Sequence, residues 1–270
     1  MSQIKVLFFA DLVGKPGRFV LSQMCKPLKE KYEANYVIAN IENAAGGFGI
    51  TPEMSRKIFS YGVDCQTSGN HIWDRTDIWP YLDQQPKLLR PANYPPGVPG
   101  YGVLVDEIEE TRIGVINLMG RTYMKDIDCP FRIGEREVDR IRRETDIIII
   151  DFHAEVTSEK QALAYMLDGK ISAVIGTHTH VQTADEAVSS RGTAYITDIG
   201  MTGPHDSIIG MAKAPSLERF LTGMPKRFAC AKSDVKISGV VITIDVKDGA
   251  AVDIERFKID YGDDTPDNEE

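Results

Sequence analysis

Hydrophobic residues run almost unbroken through residues 4–10, 36–41, 113–118, 147–152 and 173–176. Runs without polar alternation predict strands buried on both faces, as in a sheet covered by helices. Between them, residues 18–32, 52–61, 135–143 and 158–167 carry the mixed spacing of helices that bury one face. Thr51 before Pro52 reads as an N-cap followed by proline at the first helical position. Pro27 predicts a kink or split within the first helix. The end of the chain changes character: residues 236–246 and 251–260 alternate, and Lys247-Asp248-Gly249 joins them, predicting an antiparallel hairpin. The proline-rich stretch 91–100 reads as a long surface loop rather than a linker, because strand-like sequence resumes at once beyond it. The pattern predicts an α/β fold with mixed sheets in one domain over residues 1–262.

Composition narrows the class. Of 270 residues, 42% are hydrophobic and 26% charged, which is ordinary globular material with enough for a sizeable core. Asp and Glu outnumber Lys and Arg by 40 to 31, giving a net charge of −9. Five of those charges sit in residues 263–270, an acidic stretch without a base that reads as a solvated, disordered tail. Its removal leaves the body at −4. That balance argues against a partner such as duplex nucleic acid, which needs a broad basic surface. No apolar stretch reaches membrane-spanning length, and residues 6–10 are too short for a secretory core, so a cytoplasmic, non-membrane protein is expected. Cys25, Cys65, Cys129 and Cys230 lie far apart, which favours reduced thiols over a disulfide framework.

The chemistry collects where the strands end. Asp11 closes the first run, Glu42 and Asn43 close the second, and Asn70 and His71 follow residues 63–68. His153 ends the run at 147–152, and His178 and His180 follow residues 173–177. The carboxyl ends of strands in an open α/β sheet form the crevice where ligands bind. Four of the five histidines stand at such ends, and only His205 does not. Imidazole, carboxylate and amide oxygen together suit Mn, Fe or Zn. Seven or eight candidates exceed what one tetrahedral ion needs and suit two ions sharing a bridge, which can hold a phosphate ester. Other motifs fail: there is no P-loop, and the glycines at 46, 47 and 49 do not form a dinucleotide fingerprint. His153-Ala154-Glu155 matches the H-x-E of zinc deaminases but lacks the P-C-x-x-C partner.

The order Asp11, Glu42-Asn43, Gly69-Asn70-His71, His153, Gly176-Thr177-His178-Thr179-His180 resembles the calcineurin-like metallophosphoesterases. It is more closely similar to their YmdB-like bacterial subfamily. The markers are Asp11-Leu12-Val13-Gly14-Lys15-Pro16-Gly17-Arg18, Asn40-Ile41-Glu42-Asn43-Ala44-Ala45-Gly46-Gly47 and Thr197-Asp198-Ile199-Gly200-Met201-Thr202-Gly203-Pro204. The resemblance implies a four-layer α/β/β/α sandwich. Val13 stands where most of the superfamily has the second ligand of D-x-H, and in the subfamily Asn43 replaces it. The resemblance implies one ion on Asp11, Glu42, Asn43 and His180 and another on Glu42, Asn70, His153 and His178, with Glu42 bridging.

By the same resemblance His71 is catalytic, donating a proton to the leaving oxygen, a role that suits imidazole. Residue 72 is Ile where the superfamily often has an acid that orients this ring. Asp74 is open to that role or to capping a helix over residues 73–83. Lys15 and Arg18 could approach a phosphate or simply lie in a solvated loop, and His205 reads as a rim residue. The expected function is a dinuclear, metal-dependent phosphodiesterase acting on small phosphodiesters, 2′,3′- and 3′,5′-cyclic nucleotides, by attack of a metal-bridging hydroxide. The expected metals are iron or manganese, with zinc admissible. The alternatives are a phosphomonoesterase acting on nucleotides or phosphoproteins, and a regulatory nucleotide-binding protein with slow turnover. Association into a homo-oligomer stays open. The net charge no longer counts against a phosphate substrate, because two divalent ions would bring the body near neutrality.

Overall fold

The computed structural model describes residues 2–262, so the acidic stretch 263–270 lies outside the described residues. Within them the elements run β1 (Gln3–Phe9), β2 (Asp11–Leu12), α1 (Gly14–Tyr32), β3 (Tyr36–Asn40), α2 (Pro52–Ser60) and β4 (Cys65–Thr67). A 3-10 turn (Thr76–Ile78) leads into α3 (Trp79–Leu82). There follow β5 (Val103–Ile108), β6 (Thr111–Met119), α4 (Pro130–Ile141), β7 (Ile148–His153), α5 (Thr157–Leu167) and β8 (Ala173–Thr177). The chain closes with β9 (Ala187–Val188), β10 (Ala194–Ile196), β11 (Met201–Pro204), α6 (Lys213–Thr222), β12 (Val235–Asp245) and β13 (Ala251–Gly262).

These strands form two mixed sheets. The first runs β2-β11-β12-β1-β3-β4, with β13 also paired to β12; the second runs β5-β6-β7-β8-β10-β9. In the first sheet β1, β3 and β4 are parallel, and the β12–β13 hairpin joins antiparallel. In the second, β6, β7, β8 and β10 are parallel between antiparallel edges.

The continuous apolar runs have a direct packing cause. Along β1, Ile4, Val6 and Phe8 turn to the second sheet and meet Ile113, Val115, Ile149 and Ile175. The alternate residues Leu7 and Phe9 turn the other way, to Val20 and Leu21 of α1 and Ile58 of α2. The outer face of the second sheet does the same: Ile116, Ile148 and Ile150 pack on Val138 of α4 and Leu163 of α5. The layering is therefore helix, sheet, sheet, helix, and strands buried on both sides need no polar alternation. The 91–100 stretch is a loop of turns that carries the chain from the first sheet to the second.

Three local expectations change. α1 continues unbroken through Pro27, because Val20, Leu21, Cys25 and Leu28 hold its buried face against the sheet on both sides of the proline. It begins at Gly14, so Lys15 and Arg18 lie in its first turns and not in a loop. Residues 73–83 do not form one helix, only the 3-10 turn and the single turn of α3. No described helix is long and apolar enough to cross a membrane. All four cysteines are free thiols, with Cys25 and Cys65 buried.

Candidate metal centre

The carboxyl ends of β1, β3, β4, β7 and β8 deliver their polar residues to one rim, and two groups of donors form there. In the first, His153 Nε2 lies 2.9 Å from Glu42 Oε1, 3.1 Å from Asn70 Oδ1 and 2.9 Å from His178 Nδ1. In the second, His180 Nε2 lies 3.3 Å from Asn43 Oδ1 and 3.4 Å from Asp11 Oδ2. Glu42 precedes Asn43 of the second group while its carboxylate joins the first, and its Oε2 accepts the His71 backbone N–H at 3.0 Å. All seven residues named from the sequence are brought together, with His71 beside them.

Local structure fixes each donor atom. Thr177 Oγ1 donates to Asp151 Oδ1 at 2.7 Å, so it accepts from His153 Nδ1 at 2.9 Å, and Nε2 is the nitrogen that faces the site. His180 Nδ1 donates to the Ile209 carbonyl at 2.9 Å, which also leaves Nε2 inward. His178 turns the other way round, offering Nδ1 while Nε2 faces Glu155 Oε2 at 3.1 Å. Asn43 Nδ2 donates to the Gly47 carbonyl, directing Oδ1 at His180. Gly69 is required by crowding: a Cβ there would sit 2.1 Å from His153 Cδ2 and 2.5 Å from Glu42 Oε2. Gly47 has φ +95 and would push a Cβ into Met211, so both reasons for a glycine operate at once.

The 178–180 turn is strained and braced. His178 and His180 both have positive φ, at 106 and 63, which costs of order 1–3 kcal/mol each. Asp11 Oδ2 accepts the His178 N–H at 3.0 Å, and Asp198 Oδ2 accepts the Thr179 N–H at 3.0 Å. Beneath them Lys160 Nζ donates to Asp198 Oδ2 and to the Thr177 carbonyl, both at 2.8 Å. These supports, together with Thr177 and Glu155, are what the sequence reading missed. The signal for Glu155 was its H-x-E spacing from His153, and for Asp198 its place in the Thr197–Pro204 motif.

Electrostatics asks for a cation. Burial opposes ionisation of both Glu42 and His153, yet their mutual attraction outweighs it, holding the carboxyl low and the imidazole high. His178 is driven down to about 3 by burial and by His153, so it is a neutral base. Asp11 Oδ1 is buried without a hydrogen-bond partner among the described residues. A buried carboxylate oxygen with nothing to bind is costly unless an ion completes it. Glu42, His153 and His178 each present a ligand atom within 4.8 Å of the others. Oxygen and imidazole donors at these separations fit a divalent cation.

Around this set, His71 Nδ1 lies 2.7 Å from Asp74 Oδ2, and Asp74 caps no helix. Arg18 is turned inward, donating to the Ala44 carbonyl beneath the Glu42–Gly47 turn. Lys15 is exposed at the start of α1. His205 donates to the Gly203 carbonyl at 3.0 Å and joins neither donor group.

The sequence matches the YmdB-like protein family over residues 7–257. The chain belongs to this family. It is 46% identical over 256 residues to a 2′,3′-cyclic-nucleotide 2′-phosphodiesterase of Bacillus subtilis (strain 168), covering 95% of this chain and 97% of that protein. The crystal structure of a novel phosphatase from Mycoplasma pneumoniae superposes with a TM-score of 0.92 at 34% identity, covering 98% of this chain and 96% of the other. A hypothetical protein from Thermus thermophilus gives a TM-score of 0.89 at 38% identity, covering 95% of this chain and 99% of the other. Metal ions are what a metallophosphoesterase fold of this kind implies, and the donor set fits them.

Proposed function

We propose that this YmdB-like protein is a metal-dependent phosphodiesterase that hydrolyses small phosphodiesters, nucleoside 2′,3′- and 3′,5′-cyclic phosphates. The observation that carries the reading is the convergence of seven donors from five strand ends, with the buried Asp11 Oδ1 left unpartnered among the described residues. Glu42, Asn70, His153 and His178 would hold one ion. Asp11, Asn43 and His180 would hold a second, with Glu42 shared. Iron and manganese suit the donors, and zinc is admissible. Ions held there supply Lewis acidity to the phosphoryl group and make water a stronger nucleophile.

The chain's own residues do the rest. Asp74 accepts from His71 Nδ1 and fixes the ring; with both ring nitrogens protonated, Nε2–H would supply the proton that the departing alkoxide needs. The His71 backbone N–H binds Glu42 Oε2, so the proton donor and the shared carboxylate are placed by one contact. Thr177, Glu155 and the Ile209 carbonyl fix the imidazole tautomers. Similarity to the Bacillus subtilis phosphodiesterase supports a diester substrate.

The test compares bis-p-nitrophenyl phosphate with p-nitrophenyl phosphate, followed by adenosine 2′,3′- and 3′,5′-cyclic phosphates. Faster turnover of both diester classes is expected. Preference for the monoester would assign a phosphatase instead, and no turnover of any of them would leave a binding role.

A further inference from the structure

The donor cluster forms only one wall of its cavity. The cavity holds about 320 Å³, at the small end for small-molecule sites, and the rest of its lining is largely aromatic and aliphatic. Phe48 stands edge-on to the His71 ring, with centroids 5.1 Å apart. Phe228 lies nearly parallel to Phe48, 6.4 Å away, and the Arg219 guanidinium sits 5.0 Å over the Phe228 ring. Phe220 of α6 also lines the cavity and is 80% exposed.

Nothing in phosphoryl chemistry requires these rings. The metal ligands, His71 and Asp74 account for the reacting atoms, and a bare phosphodiester would be served by polar walls. An apolar aromatic face beside a polar centre instead suits a ligand with a charged end and a flat end. The rings begin next to His71, the proposed proton donor, and continue from Phe48 to Phe228 by successive ring contacts. A nucleoside has that layout: phosphate, sugar, then a planar base.

We propose that Phe48 and Phe228 form the shelf on which the substrate's nucleobase stacks, making the site selective for nucleoside cyclic phosphates over base-less ones. The inference rests on the phosphodiesterase reading above. Stacking uses the π-face that every base shares, so the shelf distinguishes nucleotide from sugar phosphate and discriminates little between purines and pyrimidines. Phe48 also touches His71, and its replacement would disturb the proton donor. Phe228 meets Phe48 and Arg219 rather than the donor set, so it reports on the shelf alone.

The experiment measures kcat and KM for adenosine 2′,3′-cyclic phosphate and for 1-O-methylribose 2,3-cyclic phosphate, which lacks the base. Wild-type protein is expected to show a KM about tenfold lower for the nucleotide. Phe228→Ala should raise that KM about tenfold with kcat within about twofold, and leave both constants for the base-less compound unchanged. Phe228→Tyr should restore the nucleotide KM. Equal KM values in the wild type, or an equal rise for both compounds in Phe228→Ala, would overturn the shelf. Wild-type protein inactive on both compounds would instead remove the phosphodiesterase reading, and the shelf with it.

Discussion

Lys160 Nζ lies 2.8 Å from Asp198 Oδ2, with both side chains wholly buried, directly under the turn that carries His178 and His180. Their hydrogen bonds to the Thr177 carbonyl and the Thr179 N–H clasp the turn from both sides of His178. Such a pair is costly to break from one side, because the remaining charge stays buried, at about 3–5 kcal/mol. Lys160→Met is therefore expected to lower Tm by roughly 10 °C and to release metal from protein that still folds at low temperature. Thermal unfolding and elemental analysis on the same samples check this. A drop in Tm with unchanged metal retention would show that the pair supports the fold and not the site.

Thr177 offers a milder test of the same idea. Its hydroxyl links His153 Nδ1 to the buried Asp151 carboxylate. Thr177→Val keeps the shape of the strand and removes the link. Supports of this kind are worth roughly 10–100-fold in metal affinity or activity. Competition with a chelator should show that loss, with circular dichroism unchanged.

His71 and Asp74 separate proton transfer from metal binding. His71→Ala should lower kcat by about 10²–10⁴ while metal content stays at the wild-type level. Asp74→Asn leaves the ring in place but weakens its acceptor, so a smaller loss in kcat is expected. Loss of metal in His71→Ala would mean that the imidazole is a ligand and not the proton donor.

How much of this was readable beforehand follows from what each residue does locally. Glu42, His153 and His178 stand out because a polar group abruptly ends an apolar run, and strand ends are where such groups gather; Asn70 follows a more polar strand and stands out by its Gly69-Asn70-His71 sequence. The four-layer arrangement was implied by the family resemblance, whereas the α/β class with mixed sheets was legible because runs apolar on both faces need cover on both faces. Lys160 was not, since a lysine in a polar helix looks solvated until the fold places it against Asp198. Nor could the sequence choose between the two roles for Asp74, because the helix it might have capped is only a short turn. Phe48 and Phe228 lie 180 residues apart, and only folding sets them against one cavity.

The cysteines test the core packing. Cys25 faces the α1 side of the first sheet, and burial pushes its thiol up to about 12; Cys65 sits between the sheets and is raised by burial as well. A raised thiol value means less thiolate at any given pH, so both should resist alkylation by iodoacetamide at about pH 8 in native protein. Cys129 is partly exposed and should react first. Mass spectrometry after brief labelling distinguishes them, and early labelling of Cys65 would contradict the sheet-on-sheet core.

The central proposal is that the donors at five strand ends hold two ions for phosphodiester hydrolysis. Elemental analysis of protein purified without chelator, with hydrolysis of adenosine 2′,3′-cyclic phosphate assayed on the same fractions, tests this most directly. Two equivalents of iron or manganese per chain are expected, with activity and metal falling together in Glu42→Ala, the shared ligand. Full hydrolysis from protein carrying one ion or none would contradict it.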